Sequence, residues 1–213
     1  MEFDRLVEIV GAEPVFETGL LLAGDVDPNH IRRQLTRWTN AGRLYQLRRG
    51  LYALAPPFQK VKPHPFTISN RLARGSYVSC QTGLAHYSLI PEYVPTVVAV
   101  CSSWPRPWDT PLGSFIFRHV RSKYLLGYRL LELGHGQQAL VARPEKALMD
   151  LIYLTPGGDS EAYLRSLRLQ NLESLNLQSL RDFAEAFGKP KLMRAAEQLE
   201  LLVREAGAAE EGG

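Results

Sequence analysis

Hydrophobic positions at the start of the chain repeat with the period of an amphipathic helix. In residues 3–10 (FDRLVEIV) the apolar side chains share one face, and Gly11 follows as a residue that tolerates left-handed backbone. We therefore predict a first helix over residues 3–10. A second, shorter helix is predicted over residues 18–23, with Thr18 as its N-cap and Gly24 as the residue that ends it.

A third helix has the strongest start signal in the chain. Asp27 can accept main-chain hydrogen bonds as an N-cap, and Pro28 loses no helical hydrogen bond at the first position. Ile31, Leu35 and Trp38 then follow on one face, which predicts a helix that ends near residues 40–42. The polar and cationic residues that lie off or beside this apolar face are Asn29, His30, Arg32, Arg33, Gln34, Thr36 and Arg37.

Two short strand-like runs come next, over residues 44–47 and 51–54. Arg48, Arg49 and Gly50 join them, and Gly50 can adopt the positive φ that a tight hairpin turn requires. Three short helices followed by a basic-tipped hairpin are the element order of a winged helix-turn-helix. We assign this domain to residues 1–55.

The remainder of the chain predicts a larger mixed domain, so the expected fold class is α+β. Four prolines in the stretch from Pro56 to Pro65 predict a linker over residues 56–65 that spaces the two domains. The second domain is assigned to residues 66–205, and residues 206–213 are expected to form a disordered tail. The predicted strands are 76–79, 97–101, 115–120, 128–133 and 139–141, and the predicted helices are 66–73, 82–89, 143–153, 160–169, 179–187 and 190–205. Trp104 and Trp108 flank Pro105 and Pro107 and are expected either in a contact loop or at a buried corner.

Charge is distributed unevenly along the chain, although the net charge is only +3. Residues 28–131 carry fifteen Lys and Arg against two acids, Glu92 and Asp109, and the flanking segments are acidic. Such a zone either attracts a polyanion, nucleic acid above all, or is simply a solvated basic face. We favour double-stranded DNA, because an α-helix fits the major groove and a basic wing reaches phosphates or the minor groove.

Other classes of protein receive little support from the sequence. No apolar run approaches the roughly 20 residues of a membrane span, and the N-terminus does not have the pattern of a secretory signal, so we expect a cytoplasmic protein without a membrane partner. Cys80 and Cys101 have neither CxxC spacing nor nearby His pairs, so they predict no zinc site and no disulfide framework. Motifs for phosphate-binding loops, hydrolase nucleophiles and zinc proteases are missing, and no cofactor is expected.

Three segments carry a resemblance to a known family. Residues 42–54 (GRLYQLRRGLYAL) resemble the end of the N-terminal winged helix of AbiEi-family antitoxins, the abortive-infection regulators of type IV toxin–antitoxin systems. Residues 77–87 and the segment RPEKALMDL at 143–151 are similar to parts of that family's larger C-terminal domain. The resemblance extends over about residues 3–155. It assigns Arg48, Arg49, Gly50 and Tyr52 to the wing.

The resemblance implies a two-domain repressor that binds inverted repeats upstream of its own operon and counters a nucleotidyltransferase-like toxin encoded nearby. One winged helix reads a short site, so a homodimer, or two copies on paired half-sites, is expected. A protein-interaction module that neutralises a toxin by direct contact is the first alternative. The second is a metal-dependent nuclease in which Asp109 and Glu145 hold Mg²⁺ beside Lys146.

Overall fold

The N-terminal part of the chain has the element order and strand order of a winged helix. The computed structural model describes residues 1–22, 26–103 and 105–211. The elements of the N-terminal part are α1 (Phe3–Val10), β1 (Phe16–Glu17), a 3-10 helix (Thr18–Leu21), α2 (Pro28–Asn40), β2 (Leu44–Arg48) and β3 (Leu51–Leu54). The strands form an antiparallel sheet in the order β1-β3-β2, with the β2–β3 hairpin as the wing.

The second part combines a six-stranded sheet with helices. Its elements are α3 (Pro65–Leu72), β4 (Tyr77–Val78), α4 (Cys80–His86), β5 (Val97–Cys101), β6 (Arg106–Thr110), β7 (Gly113–His119), β8 (Tyr128–Glu132), β9 (Gln138–Ala142), α5 (Pro144–Leu154), α6 (Glu161–Ser166), α7 (Leu177–Phe187) and α8 (Pro190–Glu211), with short 3-10 turns at Ser122–Tyr124 and Leu172–Ser174. The strand order is β6-β7-β5-β4-β9-β8, in which β5–β7 and β4–β9 are parallel pairs and the others antiparallel. The predicted α+β class is confirmed.

Local signals explain why α2 begins where it does. The Asp27 carboxylate accepts a hydrogen bond from the Asn29 main-chain N–H at 2.9 Å, and Pro28 occupies the first helical position. The helix ends at Asn40, followed by a turn in which Gly42 has φ 69°. The predicted start and end of this helix are therefore confirmed.

Two strands were not predicted from the sequence, because their partners define them. The two residues of β1 pair with Tyr52 and Leu51, which are far along the chain. Strand β6 contains Pro107, a residue that argues against a central strand, and it lies at the edge of the large sheet. Trp108 is half-buried in β6, whereas Trp104 lies outside the described residues.

Two helical predictions need correction. The predicted second helix is a 3-10 helix in which Thr18 is the first residue rather than the N-cap, and its predicted end at Ala23-Gly24 lies outside the described residues. The predicted disordered tail is wrong for residues 206–211, because α8 continues to Glu211. These residues (AGAAEE) are mostly strong helix formers, so the helix propagates beyond its last packed turn.

The small sheet packs on both of its faces. On one face, Phe16 and Tyr52 share a core with the apolar stripe of α2, Ile31, Leu35 and Trp38. The opposite face packs in a second core, which is formed jointly with residues of the second part of the protein. This core combines Leu47, Leu51 and Ala53 of the wing strands with Ile68 and Leu72 of α3 and with Val78, Ala99, Phe115 and Phe117 of the large sheet.

The remaining face of the large sheet is covered by the C-terminal helices. Tyr77 and Val100 on the sheet pack with Leu148 of α5, Leu180 of α7 and Leu199 of α8 in the largest cluster. The large sheet is therefore a middle layer, with the wing and α3 on one side and helices α4 to α8 on the other.

The proline-rich connection is fixed to both parts of the protein rather than simply separating them. Phe58 packs edge-to-face on Phe3 of α1, with ring centroids 4.8 Å apart. Gln137 accepts a hydrogen bond from the His64 main-chain N–H at 2.7 Å and donates one to the Lys62 carbonyl at 3.0 Å. Together with the shared core, these contacts show that the predicted linker is packed against both parts in addition to spacing them.

Candidate nucleic-acid interface

The outer face of α2 is polar and accessible. Ile31, Leu35 and Trp38 are buried, so the residues between them point away from the core. The exposed members of the predicted set are Asn29, His30, Arg32, Arg33, Thr36 and Arg37. Gln34 is different: it is half-buried, and its Oε1 atom is shielded from solvent without a hydrogen-bond partner among the described residues.

The exposed residues of α2 make only weak or local contacts. Arg32 Nη1 donates to the Asn29 side-chain oxygen at 3.2 Å, and Thr36 donates to the Arg32 carbonyl at 3.0 Å. Arg33 lies 3.9 Å from the Asp27 carboxylate, at the limit of an ion pair between two exposed side chains. Because α2 contains no acid, its cations are available to an anion outside the protein.

The first turns of α2 and the tip of the wing lie toward the same end of this part of the protein. The chain reverses tightly after α2, where the Arg43 N–H donates to the Trp38 carbonyl at 2.9 Å, so β2 runs back along the helix. The Gly50 carbonyl accepts from the Thr18 N–H at 3.0 Å, which holds the wing tip against the 3-10 helix that precedes α2. Gly50 itself has φ 79°, the left-handed backbone that this hairpin turn requires.

The two wing arginines have different environments. Arg48 is only 23% exposed and directs Nη2 to the Glu17 carboxylate and to the Arg71 carbonyl, both at 3.2 Å. Arg49 is exposed. Arg48 therefore fixes the wing against the second part of the protein, and Arg49 is the wing residue whose side chain remains available.

Glu17 links the wing to the end of α3. Its carboxylate accepts from Arg48 and also from Arg74 Nη2, at 2.5 Å. Arg71 and Arg74 are exposed and lie beside the wing, although they belong to the second part of the chain. Sequence reasoning missed this arrangement, because neither Glu17 nor these two arginines belong to a local pattern that indicates a contact across the chain.

A second polar cluster lies inside the large domain and is inaccessible. Lys146 and Asp150, four residues apart on α5, are fully buried and form an ion pair. Asp150 also accepts from Tyr77 at 3.0 Å and Ser79 at 2.8 Å, and Lys146 donates to the Tyr77 hydroxyl at 2.7 Å. Burial raises the pKa of Asp150 against the opposing effect of Lys146, and burial lowers the pKa of Lys146.

The residues of the nuclease hypothesis do not come together. Asp109 is exposed on β6 and accepts from Ser114 at 2.6 Å, whereas Glu145 is buried and accepts from the Asn176 N–H ahead of α7, at 2.8 Å. Lys146 is enclosed by the cluster just described. Among the described residues, no group of three or more His, Cys, Asp or Glu side chains is arranged to hold a metal ion.

Comparison with known proteins bears on the fold. No family model and no curated protein matches the chain. The chain is similar to a solved structure, the RV2827C protein from Mycobacterium tuberculosis, with a TM-score of 0.53 and 19% sequence identity. The similarity covers 92% of this chain and 75% of that one, so both share the overall α+β architecture. None of the helices within the described ranges is long and apolar enough to cross a membrane.

Proposed function

We propose that this chain is a cytoplasmic DNA-binding transcriptional regulator that acts without catalysis. The observation that carries the proposal is the outer face of α2, where Arg32, Arg33 and Arg37 are exposed on an acid-free helix. In the proposed complex, α2 enters the major groove and Arg49 contacts phosphates or the minor groove beside it. Asn29, His30 and Thr36 are the other polar side chains that reach base edges in this complex.

The second part of the protein is proposed to extend the same surface. Arg71 and Arg74 stand next to the wing, and Arg48 contributes by holding the wing in place rather than by touching DNA. The shared core around Leu47 packs the two parts against each other. In the proposed complex both parts present their arginines to one duplex. Phosphate contacts of this kind position the protein, and the α2 side chains supply the sequence preference.

The experiment is a footprint of the protein on the DNA upstream of its own gene, followed by affinity measurements on the protected site. Arg32→Ala combined with Arg37→Ala should weaken binding by roughly tenfold or more. Arg204→Ala is the matched control, because Arg204 is also an exposed arginine on a helix, in the acidic C-terminal third of the chain. Equal losses of affinity for both variants, or no protected site, would refute the proposal.

Repression through inverted repeats and an antitoxin role form a finer proposal that rests on the AbiEi-like segments. Its partner is a nucleotidyltransferase-like toxin encoded nearby, and its DNA target is a pair of half-sites. Footprinting should show two protected repeats, and each repeat should have the length that one winged helix covers. A single unrepeated site, or a neighbouring gene whose product has no effect on growth, would contradict this finer proposal.

One surface favours a protein partner as a second candidate function. Tyr93 is 89% exposed beside a cavity of about 320 Å³ whose wall includes Ile116 and Leu154. Aromatic residues such as tyrosine are enriched in protein interfaces. If this surface binds the toxin, Tyr93→Ala should abolish co-purification with the neighbouring gene product and leave DNA binding unchanged. Unchanged co-purification would remove Tyr93 from that role.

A further inference from the structure

The two outer strands of the large sheet, β6 and β8, differ in how their free edges are protected. An edge strand presents unpaired N–H and C=O groups, and proteins commonly block such edges with proline, lysine or a covering segment. In β6, Thr110 pairs with Gly113 at the turn, so by alternation Pro107 points its missing N–H toward the open side. Strand β8, YRLLE, contains no proline and no lysine, and its two charged residues, Arg129 and Glu132, are of opposite sign.

The open groups of β8 can be identified from its hydrogen bonds to β9. The Leu133 N–H donates to the Gln137 carbonyl at 2.8 Å, and the Gly127 carbonyl accepts from Arg143 at 2.9 Å. Residues 127 and 133 therefore point toward β9, and alternation directs the main-chain groups of Tyr128, Leu130 and Glu132 outward. No other strand in the described part of the chain pairs with this edge, and it is partly apolar, since Leu130 is 56% exposed and Tyr128 40% exposed.

The sequence of β8 suits pairing with itself. A two-fold axis perpendicular to a sheet keeps each side chain on its own face, and it passes midway between one residue and the copy of that residue on the second strand. With the axis at Leu130, each outward-directed residue meets an outward-directed residue of the second copy. Leu130 then lies opposite Leu130, and Tyr128, whose ring stacks on Tyr77 with centroids 4.9 Å apart, lies opposite Glu132. Arg129 lies opposite Leu131, so no like charges stand directly opposite each other.

We propose that the β8 edge binds a second copy of this chain by antiparallel strand pairing centred on Leu130. The pairing supplies about six main-chain hydrogen bonds and joins the two large sheets into one continuous sheet. It gives the dimer a two-fold axis, which is the symmetry that paired half-sites would match, but the pairing itself does not depend on DNA binding. An interface of one strand is smaller than stable interfaces usually are, so the dimer should be weak and dissociate on dilution.

Sedimentation of the full chain over a concentration series tests the association. The wild type should shift from monomer to dimer as the concentration rises, and Leu130→Lys should remain monomeric at every concentration. Leu201→Lys is the matched control, because Leu201 on α8 is 57% exposed and its substitution makes the same chemical change. Circular dichroism of both variants verifies that they fold. A wild type that stays monomeric, or a Leu130→Lys variant that dimerises like the wild type, would overturn the proposal.

Cysteine cross-linking with a mild oxidant tests the register. Opposed residues in a hydrogen-bonded antiparallel pair have Cα atoms about 5.5 Å apart, within disulfide range. The native Cys80 and Cys101 are buried and should not interfere. Leu130→Cys should form disulfide-linked dimers by itself, whereas Tyr128→Cys and Glu132→Cys should do so only when the two variants are mixed. Equal cross-linking of Leu201→Cys, or cross-linking of Tyr128→Cys alone, would contradict this register.

Discussion

Helices α2 and α5 begin in the same way but place their cations in opposite environments. Each has proline at its first position, and each carries cationic side chains, three arginines in α2 and the single Lys146 in α5. In α2 the cations stand on an exposed face opposite an apolar stripe, whereas α5 is buried on all sides from Glu145 to Ile152. Lys146 therefore has an internal partner, Asp150, and within the described ranges the α2 arginines have none of comparable strength. The packing around a helix decides whether a cation stabilises the fold or remains available to a ligand.

The largest expected effect belongs to the buried pair of α5. Asp150→Ala would leave the Lys146 ammonium without its carboxylate inside the core, so the free energy of unfolding should fall by about 3–5 kcal/mol. Urea unfolding at neutral pH measures the change. The control is the double variant Lys146→Met with Asp150→Leu, which removes both charges and should be clearly more stable than the single variant. If the single and double variants were equally stable, the ion pair would not have the role we assign to it.

A smaller effect on stability is expected at the wing. Arg48 is partly buried and paired with an acid, as Lys146 is, whereas its neighbour Arg49 is exposed. Arg48→Ala removes hydrogen bonds to Glu17 and to the Arg71 carbonyl from a largely buried side chain. The free energy of unfolding should decrease by about 1–2 kcal/mol. The same urea titration checks this value. A decrease no larger than that of Arg49→Ala would show that the two arginines are equivalent after all.

Arg49→Ala should have the smallest effect on stability and a visible effect on binding. The side chain is exposed, so the free energy of unfolding should stay within about 0.5 kcal/mol of the wild type. Affinity should fall for specific and nonspecific duplexes alike, because a phosphate contact carries no sequence information. Fluorescence anisotropy with both duplexes measures this. Weaker binding to the specific duplex alone would assign Arg49 to base readout instead.

The sequence predicts those elements that begin and end at local signals, and it does not predict contacts that depend on packing between distant residues. Helices α1 and α2 were predicted at their observed bounds because Gly11, Asp27 and Pro28 are local signals. The ion pair of α5, the Glu17 contacts and strand β1 depend on partners distant in the chain or on burial, which periodicity does not report. The polar face of α2 was predicted as a set, and only the structure separates the half-buried Gln34 from its exposed neighbours.

The central claim is that the exposed cations of α2 and the wing bind DNA phosphates and bases. The most direct test is the salt dependence of affinity for the footprinted site, measured for the wild type and for Arg32→Ala, Arg37→Ala and Arg49→Ala combined. The slope of log affinity against log salt should become shallower by about 0.9 for each phosphate that the variant no longer neutralises. Arg204→Ala should leave the slope unchanged. An unchanged slope in the triple variant, or an equal change in Arg204→Ala, would contradict the assignment of this surface to DNA.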